Sequence, residues 1–136
     1  MVDNSCCRFC SDDIRKQGII YEDRRCYVVL NEFPVNRGHL LVISKGHFVD
    51  LIETDDNFIC DMFVVAKRMA MRIEDRLKPM GGIQVVANMC GAEELFHTHI
   101  HVIPFYKAVH RKRPVFSKNP ELTQKDRKKL ISILSK

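Results

Sequence analysis

The chain is 136 residues long, 46% hydrophobic and 29% charged, with no tryptophan. That length and balance predict one globular domain and exclude a low-complexity or fibrous chain. No apolar run is long enough to cross a membrane and the polar opening MVDNSCCRFC lacks the form of a signal peptide, so the expected location is the cytoplasm, with the nucleus as a second.

In chain order, the first feature is CRFC, whose Cys7 and Cys10 have C-x-x-C spacing. Six cysteines without a secretion signal are expected to stay reduced, which gives weight to metal binding. Two thiolates so spaced suit one tetrahedral zinc ion completed by two further ligands. A redox pair would want a βαβ setting that the sequence does not offer, and idle thiols are the remaining alternative. GIIYED (18–23) and CYVVLNEF (26–33) are β-branched and aromatic runs around the charged turn Asp23, Arg24, Arg25, the pattern of a hairpin. GHLLVISKGH (38–47) reads as a third strand bounded by glycines.

A long helix follows. Thr54, Asp55 and Asp56 form its expected start, and Phe58, Ile59, Met62, Phe63, Ala66, Met69, Ala70, Ile73 and Leu77 keep helical period up to Pro79 and the pair Gly81, Gly82. That stripe is expected to be core. GIQVVAN (82–88) is a fourth strand, and after MCGAEEL the run ELFHTHIHVIPFY (94–106) is a fifth, ended by Pro104. Short loops between strands imply antiparallel pairing, and a helix must cover one face, so the class is α+β with about five strands. The last helix lies within PELTQKDRKKLISILSK (120–136), with Thr123 as N-cap, Asp126 three residues on, and Leu130, Ile131 and Leu134 as a docking face. Charge divides the same way: residues 1–106 hold 12 Lys+Arg against 15 Asp+Glu, and residues 107–136 hold 10 against 2. The expectation is a domain over 1–106 and a basic extension over 107–136 docked on it. Such a tail attracts nucleic acid, polyphosphate or an acidic partner, or is simply a solvated helix face.

His97, His99 and His101 are spaced two apart, which in a strand puts all three rings on one face while Ile100 and Val102 take the other. One such histidine would be read as a satisfied core residue, but a row of three would each need buried polar partners. A metal site and a histidine nucleophile attended by other histidines remain. Neutral imidazole attacks phosphorus well, neighbouring rings disfavour its protonation, and a protonated neighbour steadies charge on phosphate.

HTHIHVI resembles the His-x-His-x-His signature of the histidine triad superfamily, and CRFC, YEDRRCYVVLNEFPVNRGHLLVISKGH and the long helix extend the match over roughly residues 7–105. The resemblance implies a compact α+β fold that dimerises through the long helix and edge strands, and hydrolysis or transfer of nucleotides, purine nucleotides or dinucleotides being the expected substrates. It implies that His99 attacks the α-phosphate to give a nucleotidyl-histidine, with His101 and His39 assisting at the phosphate. Asn31 would hold the ribose hydroxyls, Phe9 would stand beside the base and Asn88 would contact phosphate. Similarity to zinc-containing members implies a structural zinc ligated by Cys7, Cys10, His47 and His97. VLNEFPVNRGHLLV is closer to the fragile histidine triad branch. The loop before the triad is about two residues shorter than is usual in the family and carries Glu93 and Glu94 where a Gly-Gln pair is expected. A carboxylate accepts hydrogen bonds but cannot donate one to phosphate as glutamine does.

Three functions therefore compete. A zinc-containing nucleotide hydrolase or transferase leads. A nucleotide-binding regulatory module of weak turnover would suit the acidic loop. A nucleic-acid-binding protein using the basic tail is the least favoured.

Overall fold

Asp23 fixes the first turn. Its Oδ1 accepts from the backbone N–H groups of Arg25 at 2.8 Å and Cys26 at 2.9 Å, and this Asx geometry is what brings the two β-branched runs back on each other. The computed structural model describes residues 7–92, 95–107 and 122–136. Within them the order is α1 (Asp12–Lys16), β1 (Ile19–Glu22), β2 (Cys26–Leu30), β3 (Leu40–Ser44), α2 (Asp56–Leu77), β4 (Ile83–Val86), β5 (His99–Pro104) and α3 (Gln124–Leu134). The strands form one antiparallel sheet in the order β1-β2-β3-β5-β4, the α+β class expected.

The two central strands are buried on both faces. On one, Val28, Leu30, Leu40 and Val42 pack against Met62, Ala66, Met69 and Ile73 of α2. On the other, Tyr27, Val29, Leu41 and Ile43 pack against Phe9 and Ile14. The short helix α1, which the sequence pattern does not announce, thus covers the second face, and Tyr27 anchors the segment before it by donating its hydroxyl proton to the Phe9 carbonyl at 2.6 Å. Burying each large aliphatic side chain here is worth roughly 1.5–3 kcal/mol.

Several elements depart from expectation. The second strand stops at Leu30 rather than running to Phe33, because Asn31 Oδ1 takes the Phe33 N–H at 3.0 Å and turns the chain. On α2, Val65 is in the core at 2% exposure while Phe63 stands 40% exposed. Thr54 does not cap this helix: Asp55 holds the cap position, and the Thr54 hydroxyl is buried against Thr98 Oγ1 at 2.7 Å. The helix ends where Lys78 turns left-handed at φ 50° ahead of Pro79. Gly81 then passes so close to the end of β5 that a Cβ there would collide with the carbonyl oxygens of Phe105 and Lys107.

The histidine run is the main correction. β5 begins at His99, and His97 lies in the bend before it, where the Thr98 N–H reaches the Phe48 carbonyl at 2.8 Å. His97 still shares the Phe9 side with His99, the two rings standing edge-on to Phe9 at 5.7 Å and 5.1 Å, but its ring nitrogens face Ser44 and the cysteines. Beyond the undescribed stretch, α3 starts as expected, with Thr123 Oγ1 accepting from the Asp126 N–H at 3.2 Å. Leu130 and Leu134 are fully buried against the α2 side of the core.

Candidate functional site

Two clusters lie where the segment before α1 packs on the face of the interior strands β3 and β5. In the first, the C-x-x-C turn brings Cys7 and Cys10 under the bend that carries His97. Cys7 Sγ lies 3.3 Å from His97 Nδ1, Cys10 Sγ lies 3.2 Å from His47 Nδ1 and 3.4 Å from His97 Nδ1, and the two histidine Nδ1 atoms are 3.1 Å apart. All four ligand atoms fall within 4.8 Å of one another. A tetrahedral zinc with ordinary bond lengths sets its ligand atoms about 3.3–3.8 Å apart, so this donor set fits that ion in size and chemistry. The tautomer fits as well: His97 Nε2–H donates to the Ser44 carbonyl at 2.8 Å, which leaves Nδ1 as the lone-pair nitrogen aimed at the sulfurs. Burial holds His97 neutral, its pKa lowered to about 4. Loss of hydration, followed by the neighbouring Cys7, pushes the Cys10 thiol up to about 11, so a cation has to displace that proton.

The second cluster lines a cavity of about 390 Å³. His99 and His101 stand on one face of β5 with ring centroids 4.9 Å apart. His99 Nδ1–H donates to the His97 carbonyl at 2.6 Å, which makes Nε2 its basic nitrogen. Across the β3–β5 pairing, His39 Nε2 meets His101 Nδ1 at 2.9 Å. The Val35 N–H donates to His39 Nδ1 at 3.0 Å, so the His39 proton must sit on Nε2 and point at His101, whose own proton is then on Nε2. Burial, then the His101 and His99 rings, lowers His39 to about 3. Burial, then His99, lowers His101 to about 4. Both rings are neutral at physiological pH.

Asn31, Phe9 and Asn88 line the same cavity. Phe9 stands edge-on to His99 with centroids 5.1 Å apart. All ten residues singled out in the sequence thus fall into the two clusters, Cys7, Cys10, His47 and His97 in one and His99, His101, His39, Asn31, Phe9 and Asn88 in the other. Glu93 and Glu94 lie outside the described residues. Three participants carried no sequence signal of their own: Arg8, which joins the cavity wall from between the two cysteines, Glu32, with which it forms an ion pair, and Ser44, whose carbonyl orients His97.

The HIT domain family matches residues 14–108. The chain is 37% identical over 107 residues to a 16.1 kDa HIT-like protein of Mycoplasma pneumoniae, covering 76% of this chain and 74% of that one. It is 32% identical over 101 residues to the protein hit of Bacillus subtilis, covering 74% and 69%. Among solved structures, a hypothetical histidine triad nucleotide-binding protein of Sulfolobus tokodaii superposes with a TM-score of 0.79 at 28% identity, over 95% of this chain and 89% of that one. A zinc-bound histidine triad family protein of Mycobacterium smegmatis gives 0.75 at 28% identity, over 97% and 95%.

Proposed function

The chain belongs to the HIT domain family, and from that premise we propose that it hydrolyses or transfers nucleotides by attack of His99 on an α-phosphate. The observation that carries the reading is the chain of three imidazoles, His39 to His101 to His99, set against one cavity with Asn31 and Asn88.

His99 Nε2 forms a bond to phosphorus while the bond from phosphorus to the leaving group breaks, its electron pair departing with that group. The positive charge that grows on the ring is eased by the Nδ1–H bond to the His97 carbonyl. His101 Nε2–H donates to a phosphate oxygen as negative charge builds, and His39 fixes that tautomer through the 2.9 Å contact. Water or another acceptor then attacks the phosphorus and releases His99. Asn31 holds the ribose hydroxyls, Phe9 packs beside a purine base, and Asn88 donates to phosphate. The substrates of this reading are nucleoside phosphoramidates and dinucleoside polyphosphates.

Cys7, Cys10, His47 and His97 would hold a zinc ion. With no open position its contribution is structural, tying the CRFC turn to the bend before His99. Two copies associate in this reading through α2, where Phe63, Val64 and Met71 are 40%, 48% and 58% exposed, and through the edge strand β4, where Val85 is 40% exposed. Residues 1–106 form the catalytic domain and 107–136 an extension whose helix α3 is docked on it.

Substrate labelled at the α-phosphate, quenched in alkali during turnover, should leave an acid-labile phosphoramidate on His99 and none on His99→Ala. Normal turnover by His99→Ala would end the reading. Tight nucleotide binding by the wild type without label or turnover would leave a binding module in its place.

A further inference from the structure

Arg127 belongs to the basic C-terminal segment, yet it is only 8% exposed. Its guanidinium leaves α3 and reaches the end of β2: Nη1 donates to the Asn31 carbonyl at 3.1 Å, and Nη2 to the Leu30 carbonyl at 3.4 Å and to Gln17 Oε1 at 3.5 Å. Gln17 passes the contact on, since its amide donates to Glu32 Oε1, which also pairs with Arg8. One cation thus holds Leu30 and Asn31 directly and Glu32 through Gln17, and Asn31 and Glu32 line the cavity. All three direct acceptors are neutral. A buried cation without a facing carboxylate is costly, and burial accordingly depresses the Arg127 pKa against the favourable field of Glu32. Apolar packing would stabilise α3 at less cost, so the residue's value lies in the geometry it imposes.

That geometry concerns the turn where β2 ends. The Asn31 side chain is held on both sides, its Oδ1 taking the Phe33 N–H at 3.0 Å and its Nδ2 standing 3.3 Å from His39 Nε2, and its backbone N–H donates to the His39 carbonyl at 2.9 Å. The carbonyls of Leu30 and Asn31 remain to be held, and a planar guanidinium with a fixed fork of donors reaches both at once, which an ammonium does not. We infer that Arg127 is a positioning residue for the sugar-contacting turn: by clamping the Leu30 and Asn31 carbonyls it sets the register in which Asn31 faces the ribose. This rests on the nucleotide reading above and adds α3 to the substrate site, although α3 does not itself line the cavity.

The test compares the full-length wild type with Arg127→Met, Arg127→Lys and Arg72→Met. Arg72 holds the other end of α3, donating to the Leu134 carbonyl at 2.9 Å, so its removal loosens the helix without touching the turn. Turnover of an adenosine 5′-phosphoramidate and of its 2′,3′-dideoxy counterpart is measured, with calorimetric binding of adenosine 5′-monophosphate alongside. Arg127→Met should raise KM for the ribose substrate by about tenfold and change kcat by less than about threefold, with the dideoxy KM unmoved. Arg127→Lys should recover part of the loss, and Arg72→Met should leave the sugar preference intact. Equal KM increases for both sugars, the same effect from Arg72→Met, or a wild type indifferent to the sugar would each overturn the inference. A wild type that neither cleaves the phosphoramidate nor binds the monophosphate would overturn the nucleotide reading, and the inference with it. Should Arg127→Met not fold, Arg127→Lys and Arg127→Gln carry the same sugar comparison.

Discussion

Acidification from pH 7.5 to pH 5 should cost the fold about 4 kcal/mol through His39 and His101 alone. Burial, reinforced by the neighbouring rings, holds the first at about 3 and the second at about 4 in the folded protein, against an ordinary value of 6.5. Because the folded values lie below the unfolded one, the unfolded chain takes up protons first as the pH falls. The stability is fully present above about pH 6.5 and is lost progressively down to pH 3–4. At pH 5 both native rings are still neutral, so each contributes a loss fixed by its distance below the unfolded value, about 1.5 pH units or roughly 2 kcal/mol. The assay is urea unfolding at pH 7.5, 6 and 5 for the wild type and His101→Gln. The metal ligands titrate in both chains, so the difference between the two isolates one ring. Wild type should lose about 2 kcal/mol more than the variant between the end points. Equal losses would show that the His101 ring is charged in the folded protein or solvated, and the tautomer chain through His39 would fall with it.

Purified protein should carry about one zinc per chain, and Cys10→Ser should lower both metal content and melting temperature, whereas His101→Ala should keep the metal; elemental analysis and a thermal melt read both. Leu130→Ala on α3 should destabilise by about 2–5 kcal/mol in urea, as for any fully buried leucine truncated to a methyl, and a loss below about 1 kcal/mol would mean that α3 is not docked. Val64→Glu, on the exposed side of α2, should convert a dimer to monomer in analytical ultracentrifugation without lowering the secondary-structure signal. An unchanged mass would place the interface elsewhere.

Periodicity made the sheet and α2 readable because each strand alternates or runs apolar between clear turns, and the helix keeps its spacing for 22 residues. It misplaced Phe63 and overlooked Val65, which lie on opposite flanks of the stripe formed by Met62, Ala66, Met69 and Ile73, and packing covers only the Val65 flank. The strand ends were less legible. Asn31 ends β2 by a side-chain bond to the backbone, and His97 leaves the sheet because its ring is taken up with Ser44 and the cysteines. Alternation alone would have kept both in strands. The chemistry-bearing residues were visible through their type and spacing, and through a family resemblance that gave the pairing of Cys7 and Cys10 with His47 and His97. Arg127 was hidden for the opposite reason. It sits in a run of lysines and arginines where charge predicts solvent, and nothing local distinguishes the member that turns inward.

The pairing of β3 with β5 also sets when the site can come into being. β1, β2 and β3 follow one another with short connections and can zip locally, but His39 and His101 are 62 positions apart and Cys7 and His97 are 90 apart. Closing loops of that size is paid in chain entropy before any contact rewards it, so β5 should dock late. During refolding, the peptide signal of the hairpins and of α2 would then recover ahead of nucleotide binding. A chain still emerging from the ribosome would hold no assembled site until the residues of β5 have cleared the exit tunnel.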